Sequence, residues 1–318
     1  MRRMGGWKLS LLLVLTLLFT LAAGTGLSLA ATETMSIVSD TNTQWSADNV
    51  NYANAVACWV HPSWPQIPGA TWIWRTQNTN PEEEYTAVPD GGWYFKREFS
   101  LPADAYNISG TLKITADNAY AVSLNGSSVG SDGPVDKNGP DALQWSTVEE
   151  YTLSGLKPGN NVLLIRAINF IPNPAEPTNY GTFDSNPAGL IFRLDVTYDV
   201  PLHVCIDIKP GSCPNSINAN ERGAIPVAIL GSDTFDVSQI DVASVALEGL
   251  KIKVVGKANK LLAHFEDVNG DGYMDLVVQI ADTDSSVLTG STTATLTGKL
   301  LDGTPFKGTD SINIVPAA

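Results

Sequence analysis

The amino-acid sequence predicts an all-β protein made of two β-sandwich domains. Apolar and polar residues alternate in many short segments, which is the period of a half-buried strand. No segment shows a convincing helical period, and Gly, Pro and Asn separate the segments. Beyond residue 30 every tryptophan lies in the first half of the chain, ending with Trp145, which indicates two domains with different cores.

Residues 1–30 have the composition of a secretory signal peptide. Two arginines and a lysine precede an apolar run over 11–23, and small residues follow up to Ala31. We therefore expect an extracellular product, secreted or associated with the cell surface, with an uncleaved N-terminal anchor as the alternative. No later run approaches the roughly 20 apolar residues that cross a bilayer, so no membrane insertion is expected after cleavage.

The charge of the chain argues against two classes of partner. The formal charge is −14, and it falls to −17 without the three basic residues of 1–30. Such a charge disfavours nucleic acid and anionic membranes. No nucleophile elbow or phosphate-binding glycine loop is present, and Glu82-Glu83-Glu84 beside Pro81 is interpreted as a solvated loop. We expect no enzymatic activity.

The first predicted domain covers residues 31–200. Asp117-Asn118 is predicted to join two adjacent strands as a pair, and Asn125-Gly126 is a strong signal for the next hairpin. Many short strands with such turns favour a sandwich or jelly roll. The predicted strands are 93–101, 111–116, 120–124, 162–169 and 190–196.

The second predicted domain covers residues 201–318. The boundary is placed near 198–202, where a strand ends and a proline follows. Strands are predicted over 224–230 and 276–280, and Asp302-Gly303 is predicted to be a hairpin turn.

The three cysteines give one candidate disulfide. Cys205 and Cys213 flank a short loop, and a disulfide between them is predicted in an oxidising compartment. Cys58 is then left over, and we predict a buried thiol. It forms Cys-x-x-His with His61, but no second pair exists, so a zinc site is not expected.

The nine residues from Asp267 to Asp275 place oxygen-bearing groups at alternating positions around a glycine turn at Gly272. Calcium prefers such oxygens. Where an EF-hand would have its final glutamate, this chain has Val278 in an apolar run, so a structural calcium loop on a β scaffold is predicted. The alternative is a metal-free Asp/Asn/Gly turn. The predicted ligands are the side chains of Asp267, Asn269, Asp271 and Asp275 and the backbone carbonyl of Tyr273.

Aromatic residues give the lead to a ligand. Sugars stack their C–H faces on flat rings, and Trp59 and Trp64 lie in a proline-rich segment where rings could face solvent. Trp72 and Trp74 are predicted to belong to the core. Residues in other loops that could join the rim of such a site are Asn51, Tyr52, Trp145, Tyr180 and Asp184.

Five segments of the first domain carry a family resemblance, namely 69–74, 93–102, 116–120, 124–126 and 161–169. Together they resemble galactose-binding-like jelly-roll modules, which accompany bacterial rhamnosidases and other glycosidases. The resemblance covers most of residues 40–198 and implies a jelly roll that often binds carbohydrate. The catalytic helical barrel of the rhamnosidases has no counterpart here.

The second domain resembles an accessory domain that recurs in secreted microbial proteins. This resemblance implies a calcium-bearing β-sandwich without a defined activity. It rests on segments 206–218, 222–231, 235–236, 296–298 and 302–312, together with the calcium loop.

These observations favour a non-catalytic secreted or cell-surface protein. Its first domain is expected to bind a carbohydrate or glycoconjugate, and its second domain is expected to be a calcium-stabilised support. The alternative is a structural matrix or surface-assembly protein that has protein partners and no small ligand. A third hypothesis is a hydrolase with an unrecognised site.

Overall fold

The computed structural model describes residues 31–80, 89, 92–133, 144–170, 185–218, 223–281, 288 and 290–315. Over these residues the protein is built of β-strands in several sheets, with two short 3-10 turns, and the predicted all-β fold class is confirmed. The predicted signal peptide lies outside the described residues. No helix within the described ranges has the length and apolar character needed to cross a membrane.

The first sandwich consists of two facing sheets. One sheet has the strand order β10-β7-β12-β5-β4, with β1 also paired to β12, and the other has the order β3-β2-β6-β11-β8-β9. A 3-10 turn at Gln144–Ser146 precedes β10. The strands are β1 (Ala31–Val38), β2 (Gln44–Ser46), β3 (Ala53–Asn54), β4 (Val56–Ala57), β5 (Ile73–Trp74), β6 (Trp93–Leu101), β7 (Tyr106–Asp117), β8 (Ala119–Leu124), β9 (Ser127–Asp132), β10 (Glu149–Thr152), β11 (Gly159–Ile168) and β12 (Gly189–Val200).

The core of this sandwich follows from the period-two pattern. On the first sheet Leu194 pairs with Leu112, and both side chains are fully buried. On the second sheet Ile165 pairs with Phe95, again with both buried. Because alternate residues of a strand face the same side, the apolar residues of both sheets meet in one layer.

The predicted strand pair around Asp117-Asn118 is wrong. The strands β7 and β8 belong to different sheets, and the chain crosses between the sheets at this point. The backbone N–H of Asn118 donates to the carbonyl of Ile168 at 2.8 Å, so the crossing is tied to β11. The next turn is a hairpin as predicted: β8 pairs with β9, and Asn125 and Gly126 have φ values of 51° and 84°.

The second sandwich also has two main sheets. Their strand orders are β13-β24-β23-β17-β18 and β14-β16-β22-β21, and two small sheets pair β15 with β25 and β19 with β20. A 3-10 turn at Val237–Gln239 precedes β17. The strands are β13 (Leu202–His203), β14 (Ile206–Ile208), β15 (Ser216–Asn218), β16 (Ala224–Ile229), β17 (Ile240–Leu247), β18 (Leu250–Lys251), β19 (Val254–Val255), β20 (Lys260–Leu261), β21 (Ala263–Glu266), β22 (Asp275–Ala281), β23 (Thr293–Leu300), β24 (Pro305–Ser311) and β25 (Asn313–Val315).

The core of the second sandwich is aliphatic. Val227 and Val278 pair on one sheet, Leu247 and Leu296 pair on the other, and all four side chains are fully buried. The predicted turn at Asp302-Gly303 connects β23 to β24, and the φ of 90° at the glycine fits a left-handed position.

One residue, Pro201, separates the last strand of the first sandwich from the first strand of the second. The two clusters of buried apolar residues divide between Tyr198 and Leu202. A contact between the sandwiches lies nearby, where the Lys307 ammonium donates to the Asp104 carboxylate. Lys307 holds the pKa of Asp104 below its ordinary value, against a smaller opposing effect of burial.

We predict that this ion pair makes a pH-dependent contribution to stability. Because the folded-state pKa of Asp104 is lowered, the contribution is present above about pH 4 and is lost as the pH falls through the folded-state value. The Lys307→Gln variant should therefore unfold at a lower temperature than the wild type near neutral pH, and the difference should shrink as the pH falls below about 4. Thermal unfolding followed by circular dichroism measures it. Lys299→Gln, on the neighbouring strand β23, is the control, and a Lys307 effect that is the same at every pH would contradict the prediction.

Candidate functional site

Three aromatic rings meet on the surface of the first sandwich. Trp59 and His61 follow β4, and Trp145 lies in the 3-10 turn before β10. The ring centroids of Trp59 and His61 are 5.9 Å apart, and those of His61 and Trp145 are also 5.9 Å apart. All three residues are half-buried. We call Trp59, His61 and Trp145 the aromatic cluster.

Two buried tryptophans support the aromatic cluster from below. The rings of Trp64 and Trp72 stack with centroids 4.2 Å apart, and His61 lies 6.5 Å from Trp64. The Trp64 indole N–H donates to the Asp117 carboxylate at 3.0 Å, and the Trp72 indole N–H donates to the carbonyl of Pro65 at 3.0 Å. Both indoles therefore keep a hydrogen-bond partner in the interior, which fixes the segment that carries the cluster.

The stack requires a glycine on the adjacent strand. Gly189 is the first residue of β12, and a Cβ added there would lie 2.7 Å from ring atoms of both Trp64 and Trp72. Real Cβ contacts are essentially never that short. The two rings therefore pack directly on the backbone of β12.

Buried amide side chains continue the interior of this region. The Asn118 side-chain oxygen accepts the backbone N–H of Phe170 at 2.5 Å, and the Asn186 amide donates to the carbonyl of Phe170 at 3.0 Å. The Asn169 amide donates to the carbonyl of Asn186 at 3.4 Å, whereas its own oxygen has no hydrogen-bond partner among the described residues. Since buried polar atoms are normally paired, this oxygen is an acceptor left for water or another donor.

His61 adds a polar group to the aromatic cluster. The backbone N–H of Ser63 donates to Nδ1 of His61 at 3.2 Å, so we assign the proton of the neutral ring to Nε2. An N–H donor beside two partly exposed indoles suits a ligand that has both apolar C–H faces and hydroxyl groups.

The two tryptophans predicted to bind sugar have different environments. Trp59 belongs to the aromatic cluster and is half-buried. Trp64 is 4% exposed and Trp72 is 1% exposed, so Trp64 is part of the core and is not a solvent-facing ring. This corrects the expectation for Trp64, because its neighbouring prolines are compatible with a buried turn as well as an exposed one. Trp74 is also fully buried, in agreement with its predicted place in the core.

The predicted rim residues are only partly brought together. Trp145 joins the aromatic cluster. Tyr52 and Asn51 have other partners. The Lys96 ammonium lies over the ring of Tyr52, 4.1 Å from the ring centroid, and the side-chain amide of Asn51 donates to the Asp48 carboxylate at 2.7 Å. Tyr180 and Asp184, like Glu82-Glu83-Glu84, lie outside the described residues. His61 was not predicted as a site residue, although its spacing of two from Trp59 was a usable signal.

The cysteines occupy different environments. Cys58 is buried as predicted, and burial raises the pKa of its thiol to about 12, which keeps it protonated and unreactive at neutral pH. Cys205 and Cys213 are exposed and are not bonded to each other in this structure, so their disulfide stays a prediction.

The predicted calcium loop closes on its own backbone. The Asp267 carboxylate accepts the three N–H groups of residues 270–272 at 2.8 to 3.2 Å. The Asn269 side-chain oxygen accepts the N–H of Asp271 at 3.0 Å, and the Asp271 carboxylate accepts the N–H of Tyr273 at 2.8 Å. These bonds fix three oxygen-bearing side chains around one turn, which fits a hard cation.

Asp275 differs from the other predicted ligands. It is fully buried, and its two oxygens accept the N–H groups of Gly231 at 2.8 Å and Val268 at 3.0 Å. Asp275 therefore fastens the loop to the end of β16. Within the described ranges no three His, Cys, Asp or Glu side chains gather as a metal-binding group. Calcium binding, and Asp275 as a ligand, stay predictions.

Comparison with known proteins gives partial similarities. No protein-family model matches the chain. An alpha-L-rhamnosidase of Streptomyces avermitilis is 34% identical over 113 residues, which are 35% of this chain and 10% of that protein. The chain thus spans about a tenth of the length of this curated relative.

The structure also has distant likenesses to solved structures. A family 35 carbohydrate-binding module from Clostridium thermocellum has 14% identity and a TM-score of 0.27, covering 51% of this chain and 97% of that one. The apo β-glucuronidase of Ruminococcus gnavus has 11% identity and a TM-score of 0.30, covering 88% of this chain and 45% of that one. Scores of this size carry no conclusion about function.

We predict that Gly189→Ala destabilises the first sandwich by about 1–3 kcal/mol, because the added methyl group overpacks against Trp64 and Trp72. The free energy of unfolding measured with urea checks this. Gly223→Ala is the control, since a Cβ at Gly223 meets nothing within 4 Å. Equal stability of the Gly189 variant and the wild type would mean that the stacked rings can move aside freely.

Proposed function

We propose that this chain is an exported, non-catalytic protein that binds carbohydrate at the aromatic cluster of its first sandwich. The second sandwich acts as a calcium-stabilised support. The place of action is extracellular, either in solution or at the cell surface.

The observation that carries the proposal is the contact of His61 with two half-buried indoles, since its ring centroid lies 5.9 Å from that of Trp59 and 5.9 Å from that of Trp145. Partly exposed indole faces stack against the C–H faces of sugars, and Nε2 of His61 offers a donor to a hydroxyl oxygen. The buried stack of Trp64 on Trp72 holds the rings in place before a ligand arrives, which lowers the entropy lost on binding.

The curated relative adds support of a coarser kind. Its name describes an enzyme that acts on α-L-rhamnosides, and the matched segment is a small part of that enzyme. A shared accessory module fits that overlap better than shared catalysis does, because a tenth of the enzyme is matched. Rhamnose-containing glycans are therefore the first ligands to test.

The support role of the second sandwich rests on its loop. Asp267, Asn269 and Asp271 are held by hydrogen bonds around one turn. The Tyr273 carbonyl and the Asp275 carboxylate complete the proposed ligand set. Without a cation, two carboxylates close together in a tight loop repel each other. Calcium would remove that repulsion and stiffen the loop that leads into β22.

We expect residues 31–318 to bind one class of glycan on an array in the presence of calcium, with heat-unfolded protein giving no signal. Trp59→Ala should weaken binding at least about tenfold, or 1.4 kcal/mol, because a stacking face is lost. Isothermal titration with the best glycan measures this change.

Trp45→Ala is the matched control for the sugar test. Trp45 is also half-buried, but it packs on Trp93, with centroids 5.6 Å apart, and does not belong to the aromatic cluster. It should bind the glycan like the wild type. If no glycan class binds, the carbohydrate proposal fails, and a structural surface-assembly role takes its place.

We predict that chelation of calcium lowers the unfolding temperature of residues 31–318. A ligand at about 100 times its Kd stabilises the native state by about 2.7 kcal/mol. Asp271→Ala should remove the response to calcium. The Asp302→Ala variant should keep the response to calcium. Asp302 is exposed, and its carboxylate accepts the N–H of Thr304 in the hairpin turn between β23 and β24. An unfolding temperature that is the same with chelator and with calcium would identify a metal-free turn.

A further inference from the structure

The strand β21 lies at the open edge of a sheet. It is the last strand in the order β14-β16-β22-β21, and it pairs with β22 on one side. In the described part of the chain no strand pairs with its other side. An unpaired edge is a template for another strand unless the protein blocks it.

The outward-facing backbone groups of β21 follow from its register. The N–H of Gln279 donates to the carbonyl of Leu262 at 3.0 Å, so this carbonyl points toward β22, whereas the N–H of Leu262 donates to the carbonyl of Lys253. In an antiparallel ladder the bonded residues alternate. His264 and Glu266 therefore also point their backbone groups toward β22, and Ala263 and Phe265 present theirs to the open edge.

An apolar groove runs along the same edge. Phe265 is 50% exposed, although its partner across the ladder, Leu276, is buried in the core. Val242 of β17 lies on the opposite wall, so the groove opens between the two sheets of the sandwich. Its volume is about 420 Å³. The second sandwich is thus incompletely closed at β21, and an added strand would cover the exposed ring.

Charges are distributed asymmetrically along this edge. Before β21, the hairpin of β19 and β20 carries Lys257 and Lys260, and after β21 the acidic loop carries Asp267 and Asp271. On the strand face opposite to Phe265, Nε2 of His264 lies 3.2 Å from Oε2 of Glu266. Along the chain, a basic segment is therefore followed by an apolar strand centre and then by an acidic segment.

We propose that two copies of this chain associate through antiparallel pairing of their β21 strands, with the two-fold axis at Phe265. In this register Phe265 lies opposite Phe265 of the second copy. His264 lies opposite Glu266 of the second copy, in the closer, non-bonded pairs of the ladder. The outward N–H of Phe265 in each copy donates to the outward C=O of Phe265 in the other copy.

Charge complementarity identifies a second copy as the occupant. An antiparallel arrangement reverses the order of charges, so the lysine hairpin of each copy runs beside the acidic loop of the other. A two-fold contact needs a surface that is complementary to itself, and the sequence from Lys257 to Asp271 has this property. Lysines on an edge normally prevent pairing, but here the partner supplies the opposite charge.

The first test is self-association of residues 31–318, the range that holds every described element, measured by sedimentation equilibrium over a concentration series. The weight-average mass should rise toward that of a dimer at low salt. It should rise less at about 1 M salt, where the Debye length is about 3 Å. A monomer at every concentration and at low salt overturns the proposal.

Phe265→Asp should abolish the dimer, because two carboxylates would face each other on the axis. Leu301→Asp is the matched control, since Leu301 is 67% exposed and lies in the turn after β23. It should self-associate like the wild type. Unfolding temperatures of both variants check that they fold, and a dimer that survives Phe265→Asp overturns the proposal.

A charge exchange tests the register without altering the apolar centre. Glu266→Lys should weaken association at least about tenfold, because the introduced ammonium group would face His264 of the second copy without an opposite charge. Adding His264→Glu should restore the affinity, since opposite charges again face each other. Failure of the double variant to recover affinity contradicts this register.

Amide hydrogen exchange gives a readout at the strand itself. The amides of Ala263 and Phe265 should gain protection as the concentration rises, whereas those of His264 and Glu266 should be protected in monomer and dimer alike. Unchanged exchange at Ala263 and Phe265 would place any dimer contact elsewhere. These measurements need no sugar, and they are made with chelator, because calcium bound by Asp267 and Asp271 would cancel the charge of the acidic loop. Run in this way, they succeed or fail independently of the proposed function.

Discussion

Burial of alternate side chains between two sheets is the constraint on which both sandwiches depend. Pairs such as Leu194 with Leu112 are removed from water completely, and each such side chain contributes about 1.5–3 kcal/mol. A slip of one residue in β12 would turn its apolar set toward solvent. The strand register is therefore fixed by the core, and the loops that carry Trp59 and Trp145 start from fixed positions.

The two candidate surfaces use this constraint in opposite ways. At the aromatic cluster the core continues to the surface. The buried rings of Trp64 and Trp72 pack on the backbone of Gly189, and the half-buried ring of His61 lies next to Trp64. At β21 the core is left open, since Phe265 lies on the edge strand of its sheet and its side chain is half exposed. A preformed surface suits a small rigid ligand, and an open edge suits another strand.

Local pattern was sufficient where one face of a strand decides its burial. The alternation over 93–101 predicted β6 with its observed bounds, and Asn125-Gly126 predicted the hairpin after β8. The sequence could not show that β7 and β8 lie in different sheets, because pairing partners are set by distant packing. For the same reason the sequence could not show that Trp64, predicted as a ligand-binding residue, is buried. The contact of His61 with a second indole depends on Trp145, which is remote in the chain.

The short junction at Pro201 has a consequence for multivalent attachment. One proline between β12 and β13 leaves little freedom of rotation, and Asp104 and Lys307 bridge the joint. Two chains joined at β21 would then hold their aromatic clusters at a nearly constant span. Such a pair would bind with high avidity only to surfaces whose sugar chains are spaced to match the distance between the two clusters. On sparse or irregular surfaces the second site would add little to the affinity.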